Sequence, residues 1–359
     1  MMISTTKDRS RFLLMGLGMF TLLAAMWGGL LRLGWVLPPL SPTLAGSHGP
    51  LMVSGFLGTL IGLERAVALR HRWMYLAPAL TALGGLLILA GAPPTVGAVA
   101  ITLGSLVLVR LFLYLVREQP ALFTYVLALA AGVWVGGNLL WLFGLPIATL
   151  SPWWAGFLIL TIAGERLELS RLLRISHRGK AAFAGAVLLF LFGLMLMPFT
   201  YAAGWRVTGA GMIALAAWLL THDIAWRTVR QAGLTRFIAI CMLSGYLWLA
   251  AAGALAVGYG FLYGGPYDAV LHAVFLGFVF SMIFGHAPVI FPAVLGVTMQ
   301  FGGRFYLHLA VLHLSLLLRV GGGIAEALAL RQWGGMLNVI ALLLFLGNTV
   351  TSIRREKAR

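Results

Sequence analysis

The chain has 359 residues, of which 61% are hydrophobic and 9% are charged. Soluble globular domains carry roughly a quarter charged residues, and disordered chains are poor in apolar ones, so the composition excludes both classes. Lys and Arg total 25 against 9 Asp and Glu, which gives a net charge of +16. In a chain this apolar, such an excess is typical of the cytoplasmic loops of a membrane protein.

Apolar runs separated by charged or Pro- and Gly-rich breaks predict twelve transmembrane helices, each close to the ~20 apolar residues that a bilayer requires. In chain order these spans lie near residues 12–34, 50–71, 73–92, 95–117, 121–143, 152–175, 181–200, 205–226, 236–259, 267–292, 305–327 and 332–353. They use nearly the whole chain. The sequence therefore predicts an all-α polytopic membrane protein whose residues 1–359 form a single integral membrane domain.

The connections between the spans alternate in charge. Connections after even-numbered spans are basic, as in Arg70–Arg72 and Arg171–Lys180, whereas Val36–Ser47 after span 1 contains neither Lys nor Arg. The positive-inside rule then places both termini, including the basic residues 355–359, in the cytoplasm. We expect a bacterial-type inner (plasma) membrane, with the lipid bilayer and its anionic head groups as partners and no nucleic acid.

Three of the spans share a motif. In spans 2, 6 and 10 a Gly-Phe pair is followed, nine residues after the glycine, by a polar residue: Gly55 and Glu64, Gly156 and Glu165, Gly277 and His286. Because these spans are four apart, the motif predicts three four-helix units related by a pseudo-threefold axis. The alternative is a chance similarity among helices that are all rich in Gly and Phe.

The repeat places Glu64, Glu165 and His286 at one depth in the inner half of the membrane, where an uncompensated charge is costly. Two carboxylates and one imidazole can bind a divalent transition metal, or they can pass protons from the cytoplasm. A third interpretation is an ion-pair network in which Glu64 pairs with Arg166 and Glu165 pairs with Arg65. The spacing alone leaves all three interpretations open.

Two histidines lie on the predicted outer side. His48 opens span 2, and His272 lies about a turn and a half into span 10. A neutral imidazole nitrogen is a good axial ligand for haem iron, and two from facing helices would close both axial positions of an electron-transfer haem. Interfacial histidines bonded to backbone or to water are the alternative.

The segments around these histidines resemble subunit I of the haem–copper oxidases. His48–Met52 (HGPLM), followed by Leu60–Gly62 (LIG), resembles helix II of that subunit. His272–Phe275 (HAVF), with Phe291–Pro292 further along, resembles its helix X. In that family the corresponding histidines are the axial ligands of the low-spin haem. The resemblance therefore implies an oxidase-like fold and a haem b bound by His48 and His272.

Two shorter segments extend the resemblance. Leu30–Arg32 (LLR) is similar to the end of helix I, where an arginine neighbours the haem, so Arg32 is implied as a haem-binding residue. Leu316–Val320 (LLLRV) is similar to the NnrS branch, whose membrane proteins are linked to haem, copper and nitric oxide metabolism. An NnrS-like protein implies electron transfer, or a response to nitric oxide or respiratory stress. Its partner would be an unknown redox protein or a small gaseous ligand.

The chain departs from the oxidases at the positions that hold their oxygen-reducing centre. The oxidase histidine two residues before the low-spin ligand of helix X is Val270 here, and spans 6 and 7 contain no histidine to ligate copper. The copper centre therefore cannot assemble as in that family, and whether the chain is an enzyme stays open. The alternative function is a transporter or metal-handling membrane protein that uses an intramembrane Glu, His and Arg site.

Two other groups of residues carry structural predictions. Arg319 and Glu326, seven residues apart in span 11, are candidates for an ion pair. The tryptophans near the predicted outer boundary are expected to form an interfacial belt: Trp27, Trp35, Trp134, Trp141, Trp153 and Trp154.

Overall fold

The computed structural model describes residues 4–38, 40–173 and 175–354. Most of them are helical, and 12 helices are long and apolar enough to cross a membrane. In chain order they are α1 (Ser4–Arg32), α2 (Leu44–Leu69), α3 (Arg72–Leu89), α4 (Pro94–Glu118), α5 (Leu122–Leu142), α6 (Ile147–Leu169), α7 (His177–Leu196), α8 (Tyr201–His222), α9 (Gly233–Tyr259), α10 (Gly264–Leu295), α11 (Phe305–Ile324) and α12 (Leu328–Ser352). They correspond one to one to the predicted spans and confirm the all-α polytopic class of a multi-pass membrane protein.

The remaining elements are short. A single helical turn, Ala225–Thr228, separates α8 from α9, and a 3-10 turn, Ser170–Leu173, follows α6. The strands β1 (Thr298–Met299) and β2 (Ile353–Arg354) pair antiparallel and join the segment after α10 to the end of α12. The predicted basic residues 355–359 lie outside the described residues.

The chain divides into two compact units. The first comprises Met1–Phe157 with Ile290–Val297, and the second comprises Leu158–Val289 with Thr298–Arg359. The helices α1 to α5 belong to the first unit, and α7, α8, α9, α11 and α12 belong to the second. The chain passes between the units within α6 and within α10. The single membrane domain and the threefold arrangement of four-helix units stay predictions.

Two helices contain an unusual segment at the same position of the sequence repeat. Leu51–Gly58 of α2 and Ala273–Phe280 of α10 are π-helical. Both segments begin four residues before the repeat glycine, Gly55 or Gly277, and end three residues after it. The third member of the predicted repeat, α6, is α-helical throughout. The structure therefore makes α2 and α10 more alike than either is to α6.

Each π-helical segment begins close to one of the two candidate haem ligands. His48 lies three residues before the segment of α2, and His272 directly precedes the segment of α10. In α2 a local cause is visible, because Pro50 has no N–H to donate to the carbonyl four residues earlier, and the α-helical pattern ends there. Because π-helices are rare and occur frequently at functional sites, the two segments direct attention to these histidines.

Small residues let the helices within each unit approach closely. A Cβ added at Gly28 would lie 2.6 Å from a carbonyl oxygen at the start of α2, so α1 packs directly against that helix. In the second unit, a Cβ at Gly334 of α12 would lie 2.6 Å from the amide nitrogen of Arg319 in α11. Gly265 of α10 approaches the carbonyl of Gly323 in α11 even more closely. These contacts bring polar residues of neighbouring helices within hydrogen-bonding range.

The predicted tryptophan belt is wrong for three of its members. Trp134 and Trp154 are fully buried, and Trp153 is nearly so. The indole N–H of Trp134 donates to Ser54 Oγ at 3.2 Å, and that of Trp154 donates to Asn138 Oδ1 at 2.9 Å. Because each of these two indoles finds an acceptor inside the first unit, the side chains lie in its core rather than on a lipid-facing surface.

Candidate functional site

The imidazole of His48 rests against α1. Its Nδ1 donates to the carbonyl oxygen of Ala25 at 2.7 Å. A Cβ added at Gly29 would lie 2.9 Å from the His48 Cε1 and 3.0 Å from its Nδ1, so a glycine is needed to accommodate the ring. Since a carbonyl only accepts, Nδ1 carries the proton and Nε2 carries the lone pair of the neutral ring. This is the tautomer in which His48 can ligate a metal through Nε2.

Arg32 is the last residue of α1, and its side chain is exposed. It lies three residues after Gly29, which is about 4.5 Å along the helix axis and less than one turn away. The long side chain therefore starts close to the place where the His48 ring meets α1. A guanidinium there can bind a carboxylate in a bidentate manner.

His272 has the same tautomer within the second unit. Its Nδ1 lies 2.8 Å from the carbonyl oxygen of Asp268, one turn earlier in α10, and 3.3 Å from Oδ1 of the same residue. Both oxygens are acceptors, so Nδ1 is protonated and Nε2 carries the lone pair of the neutral ring. The side chains of His272 and Asp268 are only 15% and 16% exposed, so the carboxylate charge lies largely out of solvent.

A bidentate ion pair holds the Asp268 carboxylate. Arg319 donates from Nε to Oδ2 and from Nη2 to Oδ1, both at 2.9 Å. The remaining nitrogen, Nη1, lies 3.4 Å from Oδ1 of Asn338, and the Asn338 amide donates in turn to the Ser315 hydroxyl. All nitrogens of the guanidinium are thereby engaged. We call Asp268, His272, Ser315, Arg319 and Asn338 the Asp268 cluster.

The predicted ion pair between Arg319 and Glu326 is wrong. The helix α11 ends at Ile324, and Glu326 lies beyond it with a positive φ of 53°. The helical spacing assumed for the pair therefore does not extend to Glu326. Arg319 instead reaches Asp268, because the contact between Gly265 and the neighbouring helix holds α10 close to α11.

A second buried cluster lies near the other end of α10. Arg166 donates from Nε and Nη2 to the Asp223 carboxylate at 2.6 and 2.9 Å. Asp223 also accepts from the Tyr246 hydroxyl at 2.8 Å and from the backbone amide two residues later at 2.7 Å. Arg166 Nη1 lies 3.3 Å from Nε2 of His286. We call Arg166, Asp223, Tyr246 and His286 the Asp223 cluster.

The lone pair of His286 faces a cation. Its Nδ1 lies 2.8 Å from the carbonyl oxygen one turn earlier, so Nδ1 is the protonated nitrogen and Nε2 accepts from Arg166. A divalent metal bound through this Nε2 would have to replace the Arg166 hydrogen bond and would meet a positive charge. In its present geometry His286 is therefore a hydrogen-bond acceptor within an ion-pair network.

The predicted triad of metal ligands is divided between the two units. Glu165 and His286 lie in the second unit, and Glu64 lies in the first. Within the described residues, no group of three or more His, Cys, Asp and Glu side chains is arranged to hold a metal ion. The ion pair of Arg166 is with Asp223, which no sequence pattern had connected to it. A metal site or a proton path through Glu64, Glu165 and His286 stays a prediction.

A haem shared by His48 and His272 also stays a prediction, since His48 belongs to the first unit and His272 to the second. Each histidine, taken within its own unit, has the tautomer that such a ligand requires. Each also lies beside a π-helical segment at the same register of the repeat.

Asp268 and Asp223 are the two acidic cluster members, and the sequence patterns reveal neither of them directly. Only 9 acidic residues occur in the chain, so every acid inside a predicted span is informative. Asp268 precedes His272 by four residues, and this spacing places both side chains on one helix face, which is the signal that could have found it. Asp223 lies 57 residues from Arg166, so no local pattern connects the two.

The comparisons with known proteins assign a family. No curated protein matches the chain. Residues 11–354 match a family described as a domain of unknown function, DUF8744, and this match extends from α1 to the end of α12. The chain therefore belongs to the DUF8744 family.

Proposed function

We propose that this chain is an integral-membrane b-type haem protein in which His48 and His272 are the axial ligands. The observation that carries the proposal is shared by both residues. Each lies in an apolar helix beside the start of a π-helical segment, which His286 does not, and each donates its Nδ1 proton to a backbone carbonyl, at 2.7 Å and 2.8 Å. Metal-ligating histidines almost always have such a partner, because it fixes the tautomer and the orientation of the ring.

Two residues of α1 beside His48 support the proposal. Gly29 provides the space in which the His48 ring lies, and Arg32, less than a turn further along α1, supplies a positive charge for a haem propionate. A haem with two imidazole ligands supplies one-electron chemistry. His48 and His272 would hold the group, and the surroundings of these two residues would set its potential.

The finer assignment follows the sequence resemblance. We propose an NnrS-like relative of haem–copper oxidase subunit I that lacks the copper centre, with three four-helix units around a pseudo-threefold axis. Val270, which stands where the oxidases have the histidine of their active-site haem, is fully buried and apolar. The role would be electron transfer to an unknown redox partner, or a response to nitric oxide or respiratory stress.

The proposed location is the inner membrane of a bacterium, with both termini in the cytoplasm. In that orientation the even-numbered helices run from the outside inward. His48 and His272, which lie near the starts of α2 and α10, are then on the outer side. The Asp223 cluster, near the ends of α6, α8 and α10, is on the cytoplasmic side.

A reduced-minus-oxidised absorption spectrum tests the proposal. We expect a b-type signal from protein purified after haem-replete expression, and we expect His48→Ala and His272→Ala each to remove it. His71→Ala is the control, because His71 is exposed in the connection after α2 and should leave the signal unchanged. A colourless wild-type protein would overturn the proposal, and so would a signal that survives both substitutions.

The alternative proposal is a transporter or metal-handling protein that uses Glu64, Glu165 and His286. The presence of Glu165 and His286 in one unit supports it. The hydrogen bond from Arg166 to His286 weighs against it, because the guanidinium takes the nitrogen that would bind the metal. Metal analysis of the wild type against Glu64→Gln, Glu165→Gln and His286→Ala separates a metal site from an ion-pair network.

A further inference from the structure

The Asp268 cluster combines two features that a structural ion pair does not need. It places a carboxylate beside the protonated nitrogen of a candidate ligand, and it fixes that carboxylate with a guanidinium on both oxygens. Asp268 Oδ1 lies 3.3 Å from His272 Nδ1 and also accepts from Arg319 Nη2 at 2.9 Å. The carboxylate therefore cannot rotate away from the imidazole without breaking the ion pair.

We propose that Asp268 is a positioning residue for His272, and that Arg319 and Asn338 hold Asp268 in place. The inference rests on the proposed haem function. It adds that the Asp268 carboxylate sets how strongly His272 donates electrons to the iron. Asp268 acts through His272 and does not itself touch the haem.

The chemistry follows from the position of the negative charge. The Nδ1 proton is donated to the Asp268 carbonyl oxygen, and the carboxylate charge 3.3 Å from Nδ1 favours positive charge on the imidazole. Like the carboxylates that accompany metal-ligating histidines, it thereby makes Nε2 a stronger electron donor. A stronger donor favours the oxidised iron, so the charge of Asp268 should lower the midpoint potential. The low exposure of Asp268 and Arg319, 16% and 10%, strengthens the effect because little water screens these charges.

The first unit contains a neutral counterpart of the support beneath this ion pair. Asn138 donates to the Ser105 hydroxyl and accepts from the indole of Trp154. In the second unit Asn338 likewise donates to a serine hydroxyl, but it accepts from Arg319 instead of a tryptophan. In the first unit, an asparagine therefore connects neighbouring helices through neutral hydrogen bonds alone. The costly buried arginine of the other unit is explained by the carboxylate that it holds.

The test compares two charge-neutral double variants by spectroelectrochemical titration of the haem-loaded protein. Asp268→Asn/Arg319→Gln removes the ion pair beside His272. Asp223→Asn/Arg166→Gln removes a similar buried bidentate pair of the same unit and is the matched control. Because each double variant loses one positive and one negative charge, distant electrostatic effects largely cancel. The single variant Asp268→Asn is included as well. It should give the largest change in midpoint potential, but it leaves Arg319 without its counter-charge.

We expect Asp268→Asn to change the ratio of oxidised to reduced haem at a fixed ambient potential by about tenfold. For a one-electron couple, this tenfold change corresponds to a rise of about 59 mV in the midpoint potential. Asp268→Asn/Arg319→Gln should shift the ratio in the same direction by about threefold or more, and the control by less than about twofold. Loss of haem from the Asp268 double variant alone would also support a positioning role.

Two results would overturn the inference while leaving the haem proposal intact. One is an unchanged potential in the Asp268 double variant with haem retained. The other is an equal shift in both double variants, which would show that any buried ion pair of the unit has this effect. A wild-type protein that binds no haem overturns both the haem proposal and the role of Asp268.

Discussion

The two histidines of α10 make the same hydrogen bond to the backbone but lie beside opposite charges. His272 and His286 each direct Nδ1 to the carbonyl oxygen one turn earlier, at 2.8 Å in both cases. Beside His272 lies the carboxylate of Asp268, whereas beside His286 lies the guanidinium of Arg166. Burial in an apolar helix is therefore not enough to make a histidine a metal ligand. The neighbouring charge decides whether its Nε2 can bind a metal or accepts a hydrogen bond.

The buried ion pairs beside these two histidines also differ in their other contacts. In the Asp223 cluster the carboxylate is fully buried and satisfied by an arginine, a tyrosine and a backbone amide, which is what a structural junction of α6, α8, α9 and α10 requires. In the Asp268 cluster the carboxylate shares one oxygen between Arg319 and His272. The first arrangement stabilises the unit, and the second directs charge to an imidazole.

The largest effect on stability should come from Asp223→Asn. It leaves the guanidinium of Arg166 buried without a counter-charge, and breaking a buried pair in this way costs about 3–5 kcal/mol. The measurement is the apparent free energy of unfolding in detergent. The double variant Asp223→Asn/Arg166→Gln should recover a large part of the loss, and equal losses in the single and double variants would contradict a structural ion pair.

A smaller loss is expected for Tyr246→Phe. The variant removes the hydroxyl that donates to the Asp223 carboxylate, and hydrogen bonds to charged groups contribute about 1.5–3 kcal/mol. Tyr201→Phe is the matched control, because the Tyr201 hydroxyl donates to the neutral carbonyl of Leu262 at 2.9 Å. Its loss should be about 0.5–1.5 kcal/mol in the same unfolding measurement. A larger loss for Tyr201→Phe would show that charge does not dominate the Asp223 cluster.

Gly29→Ala extends the comparison to His48. The added methyl would lie 2.9 Å from the imidazole Cε1, so the ring must move from its place on α1. Overpacking of this kind costs about 1–3 kcal/mol, and a loss of about 1.4 kcal/mol from haem binding would weaken it about tenfold. Haem titration measures this change. Gly16→Ala in the same helix is the control, because nothing lies within 4 Å of the added methyl. Equal haem affinities of the two variants would remove His48 as a ligand.

The smallest effect is expected for His286→Gln. Because Arg166 already engages His286 Nε2, we expect the content of divalent metal in the purified protein and its haem spectrum to match those of the wild type. Glu165→Gln is the parallel variant, and elemental analysis is the measurement. Metal present in the wild type and lost in both variants would restore the metal site predicted from the sequence.

The periodic features of the molecule could be predicted from the sequence, and the long-range ones could not. Apolar length fixes where a helix can cross a bilayer, so all twelve spans were predictable, most of their ends to within about four residues. The repeat glycines Gly55 and Gly277 mark two segments that are structurally alike, but nothing in their composition specifies a π-helix. The helix starts were less predictable, because α2 begins at Leu44 and continues through Pro50.

Within the candidate site, too, some residues could be predicted from the sequence and others could not. His48 and His272 stand out because polar residues are rare inside apolar spans. Arg319 was visible for the same reason, but its partner depends on the close approach of α10 and α11 at Gly265 and on the end of α11 before Glu326. Pairings of this kind are set by packing between helices and leave no periodic trace in one sequence.

The most direct test of the account is the low-temperature EPR spectrum of the oxidised protein after haem-replete expression. We predict a low-spin ferric signal in the wild type and in His286→Ala, because His286 is engaged by Arg166 and does not ligate iron. We predict that His272→Ala loses this signal, either through loss of haem or through conversion to high spin. A wild type without a low-spin haem signal, or a His272→Ala variant that keeps it, would contradict the assignment of His272 as an axial ligand.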